Sequence, residues 1–265
     1  MIQAFIKNSV ERLSGDQVWL ERSADFSRLA EFVHSVRPRA TTTPLVRIGK
    51  PGDGGYLLPE DMEGMKILIS PGVSTEVSFD SEMSKRGLHS FMADASVDGP
   101  PVDDPNFHFF KKFVDVHEDN VNMRLDSLCQ KVPPELDGDR ILQMDIEGAE
   151  YRVLLDLSEE NLKKFRIMVI EFHHLTRLFG EWQMQIISAT FRKLLRHHYV
   201  VHIHPNNVAP PTQRGGVSIP PVMEFTFHRK DRTALIESGK CLIPNPLDAD
   251  NLPYRPAVVL PECWR

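Results

Sequence analysis

The chain has 265 residues, of which 41% are hydrophobic and 26% charged, so it is long enough to bury the core of one α/β domain. Its formal net charge is -6 and no run of Lys and Arg occurs, which argues against nucleic acid or an anionic membrane as a partner. No apolar stretch has the length of a membrane span.

The three cysteines, Cys129, Cys241 and Cys263, are scattered and form no CxxC pair, which favours free thiols in a reducing compartment and gives no sign of structural zinc. Met1 to Leu13 alternates apolar and polar residues, so we expect no signal peptide there. A cytoplasmic protein is therefore expected. Association into a homo-oligomer stays open.

The first predicted element is a helix over Asp16–Val36, because apolar residues recur there at helical spacing. We take residues 1–44 as an N-terminal helical region that caps the domain. Two short apolar runs follow, on either side of the glycine cluster within Pro51–Leu58. Spacing alone predicts a plain turn for this cluster, although such a loop also lets the backbone approach a ligand closely.

A strand over Lys66–Ser70, a turn at Gly72 and a helical run from Val77 form a unit typical of one half of a nucleotide-binding fold. The next predicted strand ends in Asp94, roughly 20 residues after the glycine, where a carboxylate can bind ribose hydroxyls. A single glycine in the turn is a weak signal. The alternative for Asp94 is a solvated turn, since turn-forming residues follow it.

The segment Arg140–Leu155 is central to the prediction. It begins as a buried strand and ends in Asp145, Glu147 and Glu150 around a glycine, before a helix. Side chains alternate along a strand, so Asp145 and Glu147 point to the same side. Two carboxylates on one side suggest a catalytic role. The alternative is architectural, because acids also favour the first turn of a helix.

Further strands and helices follow the same alternation of apolar runs and turns. The last strand alternates as an antiparallel strand does, and the Pro-rich residues 231–265 are predicted to be a tail over the domain or over a partner subunit. The remaining predicted elements are a strand over Phe107–Val114, a connector with a short helix over Val121–Val132, a strand over Phe165–His174, a helix over Trp182–His198, a strand over Tyr199–Asn207, a loop over Pro210–Pro221 and a strand over Val222–Phe227.

Three predicted strands end in polar pairs on one side of the chain: Asp145 with Glu147, Glu171 with His173, and His202 with His204. In a doubly wound sheet these ends open into one crevice. Carboxylates beside imidazoles suit a general base, and they equally suit zinc, manganese or iron rather than calcium. The pattern leaves both open. Paired histidines at the ends of elements are also often only exposed or hydrogen-bonded.

The string Ile141-Leu142-Gln143-Met144-Asp145-Ile146-Glu147-Gly148-Ala149-Glu150 resembles the signature of FkbM-type methyltransferases. Other pieces are similar to one branch of that family and occur in the expected order. They are Gly52-Asp53-Gly54-Gly55-Tyr56, Phe172-His173-His174, His202-Ile203-His204-Pro205-Asn206-Asn207 and Glu224.

The resemblance implies a class I, S-adenosylmethionine-dependent methyltransferase: an α/β fold with a doubly wound, mostly parallel, seven-stranded sheet whose last strand is antiparallel, over residues 45–230. The turn at Gly72 would hold the methionine part of the cofactor, Asp94 the ribose, and the loop at Asp53 would close over it. Ser70 and Ser74 stand where such enzymes usually have an acid and a further glycine, and Glu76 is a candidate to compensate. The cofactor-binding residues predicted in this way are Asp53, Gly54, Gly55, Tyr56, Gly72, Ser74, Asp94, Ala95 and Met144.

Family members typically methylate oxygen, so the resemblance implies a hydroxyl acceptor on a sugar, a polysaccharide unit or a natural product. The predicted catalytic residues are Asp145, Glu171, His173 and His204. Asp145 or His173 would act as base, or a divalent metal bound by Asp145, Glu171 and a histidine would lower the pKa of the hydroxyl. Two other functions stay open, namely a metal-dependent hydrolase that uses the same acids and histidines, and a non-catalytic binding module that has lost the cofactor.

Overall fold

The computed structural model describes residues 21–265. The expectation for Met1–Leu13 and the first residues of the helix predicted over Asp16–Val36 lie outside this range. Within it, the helix begins at Phe26, where Asp25 caps the free backbone N–H groups of Ser27 and Arg28, and it ends at Ser35. The helices are α1 (Phe26–Ser35), α2 (Ser78–Lys85), α3 (Leu125–Cys129), α4 (Glu150–Asp156), α5 (Glu159–Lys164) and α6 (Glu181–His197).

Seven strands form one sheet in the order β10-β13-β9-β8-β3-β4-β5. All neighbours are parallel except β13, which runs antiparallel to both β9 and β10. The predicted doubly wound, mostly parallel seven-stranded sheet is therefore confirmed. The strands are β1 (Leu45–Ile48), β2 (Tyr56–Pro59), β3 (Ile67–Pro71), β4 (His89–Ala93), β5 (Phe107–Phe110), β6 (Phe113–Asp115), β7 (Asn122–Arg124), β8 (Arg140–Met144), β9 (Phe165–Phe172), β10 (His198–Pro205), β11 (Thr212–Arg214), β12 (Val217–Ile219) and β13 (Met223–Arg229).

The central strands are apolar on both sides because both faces of the sheet are covered. On one face Ile67 and Ile69 belong to the large core that also contains residues of α1, α3, α4 and α6. On the other face Leu68 packs with residues of α2 and of the hairpin β1–β2, in a smaller core. The carboxyl ends of the parallel strands consequently emerge between two layers, at one edge of the sheet.

Two stretches differ from their predicted form. The strand predicted over Phe107–Val114 is two strands, because a tight turn, in which the Lys112 N–H donates to the Phe110 carbonyl, ends β5. The second piece, β6, pairs with β7 outside the main sheet. The loop predicted over Pro210–Pro221 contains the hairpin β11–β12. Both differences arise from pairings between segments that periodicity does not detect.

Residues 231–265 lie against the domain. Trp264 is fully buried, its ring stacks edge-on against Phe225, and its indole N–H donates to the carbonyl of Ser218 over 2.8 Å. Leu260 is also buried. In residues 21–265 no helix combines the length and the apolar character that crossing a membrane requires.

Candidate active site

The carboxyl ends of β3, β8 and β9 border a cavity of about 380 Å³, which we call the acid-lined cavity. Six carboxylic acids line it, and among its described lining residues there is no Lys or Arg. His173 is therefore the one side chain there that can carry a positive charge at neutral pH. The six acids are Asp53, Glu76, Asp80, Asp145, Glu147 and Glu171.

A second cavity, also about 380 Å³, adjoins the first and is called the Asp94 cavity. The two share Gly72, Ser74, Asp145 and Glu147 as lining residues. Gly72 separates them with a left-handed backbone (φ +83°), and a Cβ there would lie 1.6 Å from the carbonyl oxygen of Asp145. Only glycine fits this close approach of the two strand ends.

Asp94 ends β4 and fixes the turn around Gly72. Its carboxylate accepts the backbone N–H of Ser74 over 2.8 Å and that of Ser96 over 2.7 Å. It lies at the wall of the Asp94 cavity, where Phe113 contributes an aromatic ring that is 46% exposed. A carboxylate and an exposed ring that line one cavity can contact a polar and a flat part of the same ligand.

The glycine cluster between β1 and β2 forms a loop over the acid-lined cavity, with Asp53, Gly54 and Tyr56 among its lining residues. Arg47 organises this loop, since its Nη2 donates to the carbonyls of Lys50, Gly52 and Gly55 over 2.9 to 3.0 Å. The loop is also held by an ion pair between Lys50 and Glu76.

Four residues form what we call the open cluster: Asp145, Glu147, Glu150 and His173. His173 Nδ1 lies 3.1 Å from Glu150 Oε1, and the same oxygen accepts the N–H of Gly148 over 2.9 Å. On the other side of the ring, His173 Nε2 lies 3.7 Å from Asp145 Oδ1 and 3.5 Å from Glu147 Oε2. The imidazole is thus oriented by one acid and faces two others.

Burial and neighbouring charges shift the pKa values of Asp145 and His173 in the open cluster. Burial raises the pKa of Asp145 well above its usual value, and the charge of Glu171 raises it further. Burial by itself would lower the pKa of His173, but the hydrogen bond with Glu150 and the charges of Glu150 and Asp145 raise it to about 9. Protons are therefore retained in the cluster at neutral pH.

Glu171 lines the acid-lined cavity and also faces the neighbouring strand β13. Directly opposite it on β13 is Glu224, and opposite Glu224 on β10 is His204. Asn206 donates to one oxygen of Glu171 over 2.7 Å. Burial and the facing charge of Glu224 raise the pKa of Glu171 to about 8. Its second oxygen is buried without a hydrogen-bond partner in residues 21–265.

The structure does not bring His202 and His204 to the same cavity, contrary to the expectation of a single crevice for all three polar pairs. With Glu224 and Asp248 they form what we call the covered cluster, in which His202 Nε2 lies 2.9 Å from one Asp248 oxygen and His204 Nδ1 3.5 Å from the other. The physical reason is twofold: β13 inserts between β9 and β10, and residues of the tail lie over the ends of both strands.

Three predicted cofactor-binding residues do not line either cavity. Met144 is fully buried in the large core, Gly55 contributes its carbonyl to the bond with Arg47, and Ala95 lies in the turn after Asp94.

Three of the four non-glycine residues with positive φ in residues 21–265 lie close to the carboxyl-terminal edge of the sheet. They are Ser74, Glu147 and His174.

Sequence reasoning missed several contributors. Glu150 was undecided between site and architecture, yet it is fully buried and contacts His173. Asn206 holds Glu171, and Asp248 and Asn251 reach the strand ends from the tail. The only signal for Glu150 was its place in the motif, and the tail residues gave none.

Residues 72–194 match the family model of the Methyltransferase FkbM domain. This segment, just under half of the chain, is similar to an FkbM methyltransferase domain. The matched segment begins at the Gly72 turn and includes Asp94, the whole open cluster and Glu171. No curated protein matches the chain. The glycine loop at Asp53 and the covered cluster lie outside the matched FkbM segment, so their interpretation depends on geometry alone.

A larger cavity, about 810 Å³, lies at the start of β10 between α1 and the tail. It is at the amino-terminal edge of the sheet. Ligands of open α/β sheets bind outside the carboxyl ends of the strands, and in this chain the motif residues are at that end. We therefore place the candidate active site at the two smaller, adjoining cavities.

Proposed function

We propose that the protein is an S-adenosylmethionine-dependent methyltransferase that methylates a hydroxyl of a sugar, polysaccharide unit or natural product. The observation that carries the proposal is the junction of two cavities at Gly72 and Asp145 within the FkbM segment. One cavity suits a cofactor and the other an acceptor. Three unpaired cysteines support a reducing compartment such as the cytoplasm as part of the proposal.

The residues at the Asp94 cavity fit the proposed cofactor. Asp94 would hold the ribose through Oδ2, which keeps a lone pair after accepting the N–H of Ser74, whereas Oδ1 already accepts the N–H and the hydroxyl of Ser96. Phe113 would cover the adenine. The turn at Gly72, which lines both cavities, would hold the methionine part.

The acid-lined cavity supports a neutral, hydroxyl-rich acceptor. Among its described lining residues the cavity has six acids and no Lys or Arg, so it offers phosphate or carboxylate groups no Lys or Arg partner. Carboxylates and amides such as Glu171 and Asn206 are good partners for hydroxyl groups. The acceptor would therefore carry several hydroxyls and no acidic group close to the methylated one.

Bound adenosylmethionine supplies the methyl group: its S–C bond breaks with the electron pair passing to sulfur, a C–O bond forms, and the hydroxyl proton leaves. In this chain Asp145 Oδ1 and His173 Nε2 face the junction and are the candidates to accept that proton. The pKa of each is raised, so the group that acts as base must first lose its own proton. Glu150 orients the His173 ring, and the glycine loop contributes Asp53, Gly54 and Tyr56 to the wall of the acid-lined cavity. Positioning by these groups supplies a large part of the rate.

The first experiment is calorimetric titration of the full chain with adenosylmethionine and adenosylhomocysteine. We expect binding in a one-to-one ratio, weakened about tenfold or more in Asp94→Asn, since hydrogen bonds to a charged group contribute roughly 1.5–3 kcal/mol. The matched control is Asp98→Asn in the same turn, whose side chain is 97% exposed. It should bind like the wild type.

A protein that binds neither compound would be a non-catalytic module or the metal-dependent hydrolase, and the proposal would fail. If binding is found, a screen of neutral polyols, amines and phosphorylated sugars with methyl-labelled cofactor identifies the acceptor class. Labelling of phosphorylated sugars in preference to neutral ones would contradict the assignment of the acid-lined cavity.

A further inference from the structure

We propose that Asp145, Glu147 and His173 form a binding site for one divalent transition-metal cation at the junction of the two cavities. The three side chains each offer one ligand atom, and these atoms lie within 4.8 Å of one another. They come from two adjacent strand ends, so the sheet itself brings them together.

The distances suit ligands around an ion better than hydrogen bonds. His173 Nε2 lies 3.5 Å from Glu147 Oε2 and 3.7 Å from Asp145 Oδ1, whereas hydrogen bonds to nitrogen are about 2.7–3.2 Å long. Metal bonds of about 2.0–2.2 Å separate neighbouring ligand atoms by roughly 3.0–3.5 Å. The distance from His173 to Glu147 is at the upper end of that range and the distance from His173 to Asp145 is slightly above it.

The hydrogen bonding of the polar atoms in this cluster is a second observation, independent of the distances between them. His173 is only 8% exposed, and in residues 21–265 its Nε2 has no hydrogen-bond partner. Asp145 Oδ1 is likewise buried and unpartnered in the described part of the chain. A cation held between these two atoms would bind both, including the buried Asp145 Oδ1 that makes no hydrogen bond in residues 21–265.

Glu150 supplies the outer contact that metal-binding histidines usually have. Its carboxylate lies 3.1 Å from His173 Nδ1 and is itself held by the N–H of Gly148. A proton on Nδ1, shared with Glu150, leaves Nε2 as the free ligand nitrogen. Glu150 is fully buried, so this orientation is rigid.

One imidazole and two carboxylates favour manganese, iron or zinc over calcium. Three protein ligands leave coordination positions that face the acid-lined cavity. An acceptor hydroxyl bound there would lose its proton more readily, and this part of the inference rests on the proposed methyltransferase function. Cation binding itself does not depend on that function.

The test is titration of chelator-treated full-length protein with MnCl₂ and with ZnCl₂, followed by calorimetry and, for manganese, by electron paramagnetic resonance. We expect one site. Affinity should fall at least tenfold in Glu147→Gln and in Glu150→Gln, since loss of a ligand or of its outer contact costs about 10- to 100-fold. Glu147 is so exposed that its replacement does not threaten folding.

The matched control is Glu159→Gln. Glu159 also lies beside a histidine, 2.8 Å from His197 Nε2, but far from the cavities on α5. It should bind the cation like the wild type. No binding by the wild-type protein, or equal affinity in Glu147→Gln, would overturn the inference.

The two proposals fail separately. Chelator-treated protein that binds adenosylmethionine and transfers methyl groups, but binds no cation, would refute the metal site alone. Protein that binds one cation through Glu147 but no adenosylmethionine would refute the methyltransferase function and leave the metal site in place.

Discussion

The open cluster and the covered cluster have similar compositions and different surroundings. Each contains histidine beside carboxylates at the carboxyl ends of strands of one sheet. In the open cluster the side chain of Glu147 is 86% exposed and that of Asp145 25%, whereas in the covered cluster His202 and Asp248 are only 4% and 7% exposed. The same residue types therefore face a ligand cavity in one place and hold a tail in the other.

The two clusters differ in whether another segment of the chain covers the polar strand ends. Asp248 lies over both histidines of the covered cluster and itself accepts the N–H of Asn245 over 2.7 Å. In the open cluster no such segment intervenes, and His173 Nε2 and Asp145 Oδ1 are unpartnered in residues 21–265. Access, rather than residue type, distinguishes the two clusters, because both ring nitrogens of the covered His204 also lack a hydrogen-bond partner in residues 21–265.

The largest expected effect distinguishes the two clusters by activity. His173→Asn should lower methyl transfer about 10²–10⁴-fold, because it removes the group that faces the acceptor. His202→Asn should keep turnover close to wild type and lose stability instead. Turnover with an acceptor from the screen, together with thermal unfolding, measures both. Equal losses of turnover in the two variants would contradict the comparison.

The second expected effect concerns the tail. Asp248→Ala leaves the buried His202 and His204 without their acid, and we expect a loss of about 3–5 kcal/mol in the free energy of unfolding at pH 7. Burial would raise the pKa of Asp248, but hydrogen bonds from both histidines and their charges hold it well below its usual 3.8.

Because that pKa is lowered, the stability from Asp248 is present above about pH 4 and is lost as pH falls through the folded-state pKa. Urea unfolding at pH 7 and at pH 3 should show a large difference between wild type and variant at pH 7 and a smaller one at pH 3. Asp98→Ala, on an exposed acid, is the control. An unchanged midpoint for Asp248→Ala would show that the tail is held by other contacts.

The smallest expected effect is a pH dependence within the covered cluster. Burial raises the pKa of Glu224 from 4.5 to about 7, against the opposing charge of His204. The folded state therefore favours the protonated acid, and this contribution is present below about pH 4.5 and lost as pH rises through about 7.

Glu224→Gln removes this dependence while the amide oxygen can still face Asn251. We expect the variant to gain about 1–3 kcal/mol over the wild type at pH 8, and much less at pH 5. Urea unfolding at the two pH values measures it. The same gain at both pH values would show that the effect does not come from ionisation of Glu224.

Much of the sheet could be predicted from local pattern. The strands of the parallel core are apolar because both faces are buried, and each prediction agrees with the structure to within a few residues. Phe107–Val114 was predicted as one strand because apolar residues continue across Lys111 and Lys112. Only the pairing of β6 with β7 ends the run.

The sequence by itself predicted the strands of the parallel core from apolar periodicity, and the resemblance of Ile141–Glu150 to the FkbM signature implied the seven-stranded sheet. The rule that parallel strands end at one edge predicted that Asp145 and His173 lie near each other. Tertiary structure alone decided that His204 is covered while His173 is open, and that Glu150 is the partner of His173. Those outcomes depend on the insertion of β13 and on the path of a tail whose residues lie far from the strand ends in the sequence.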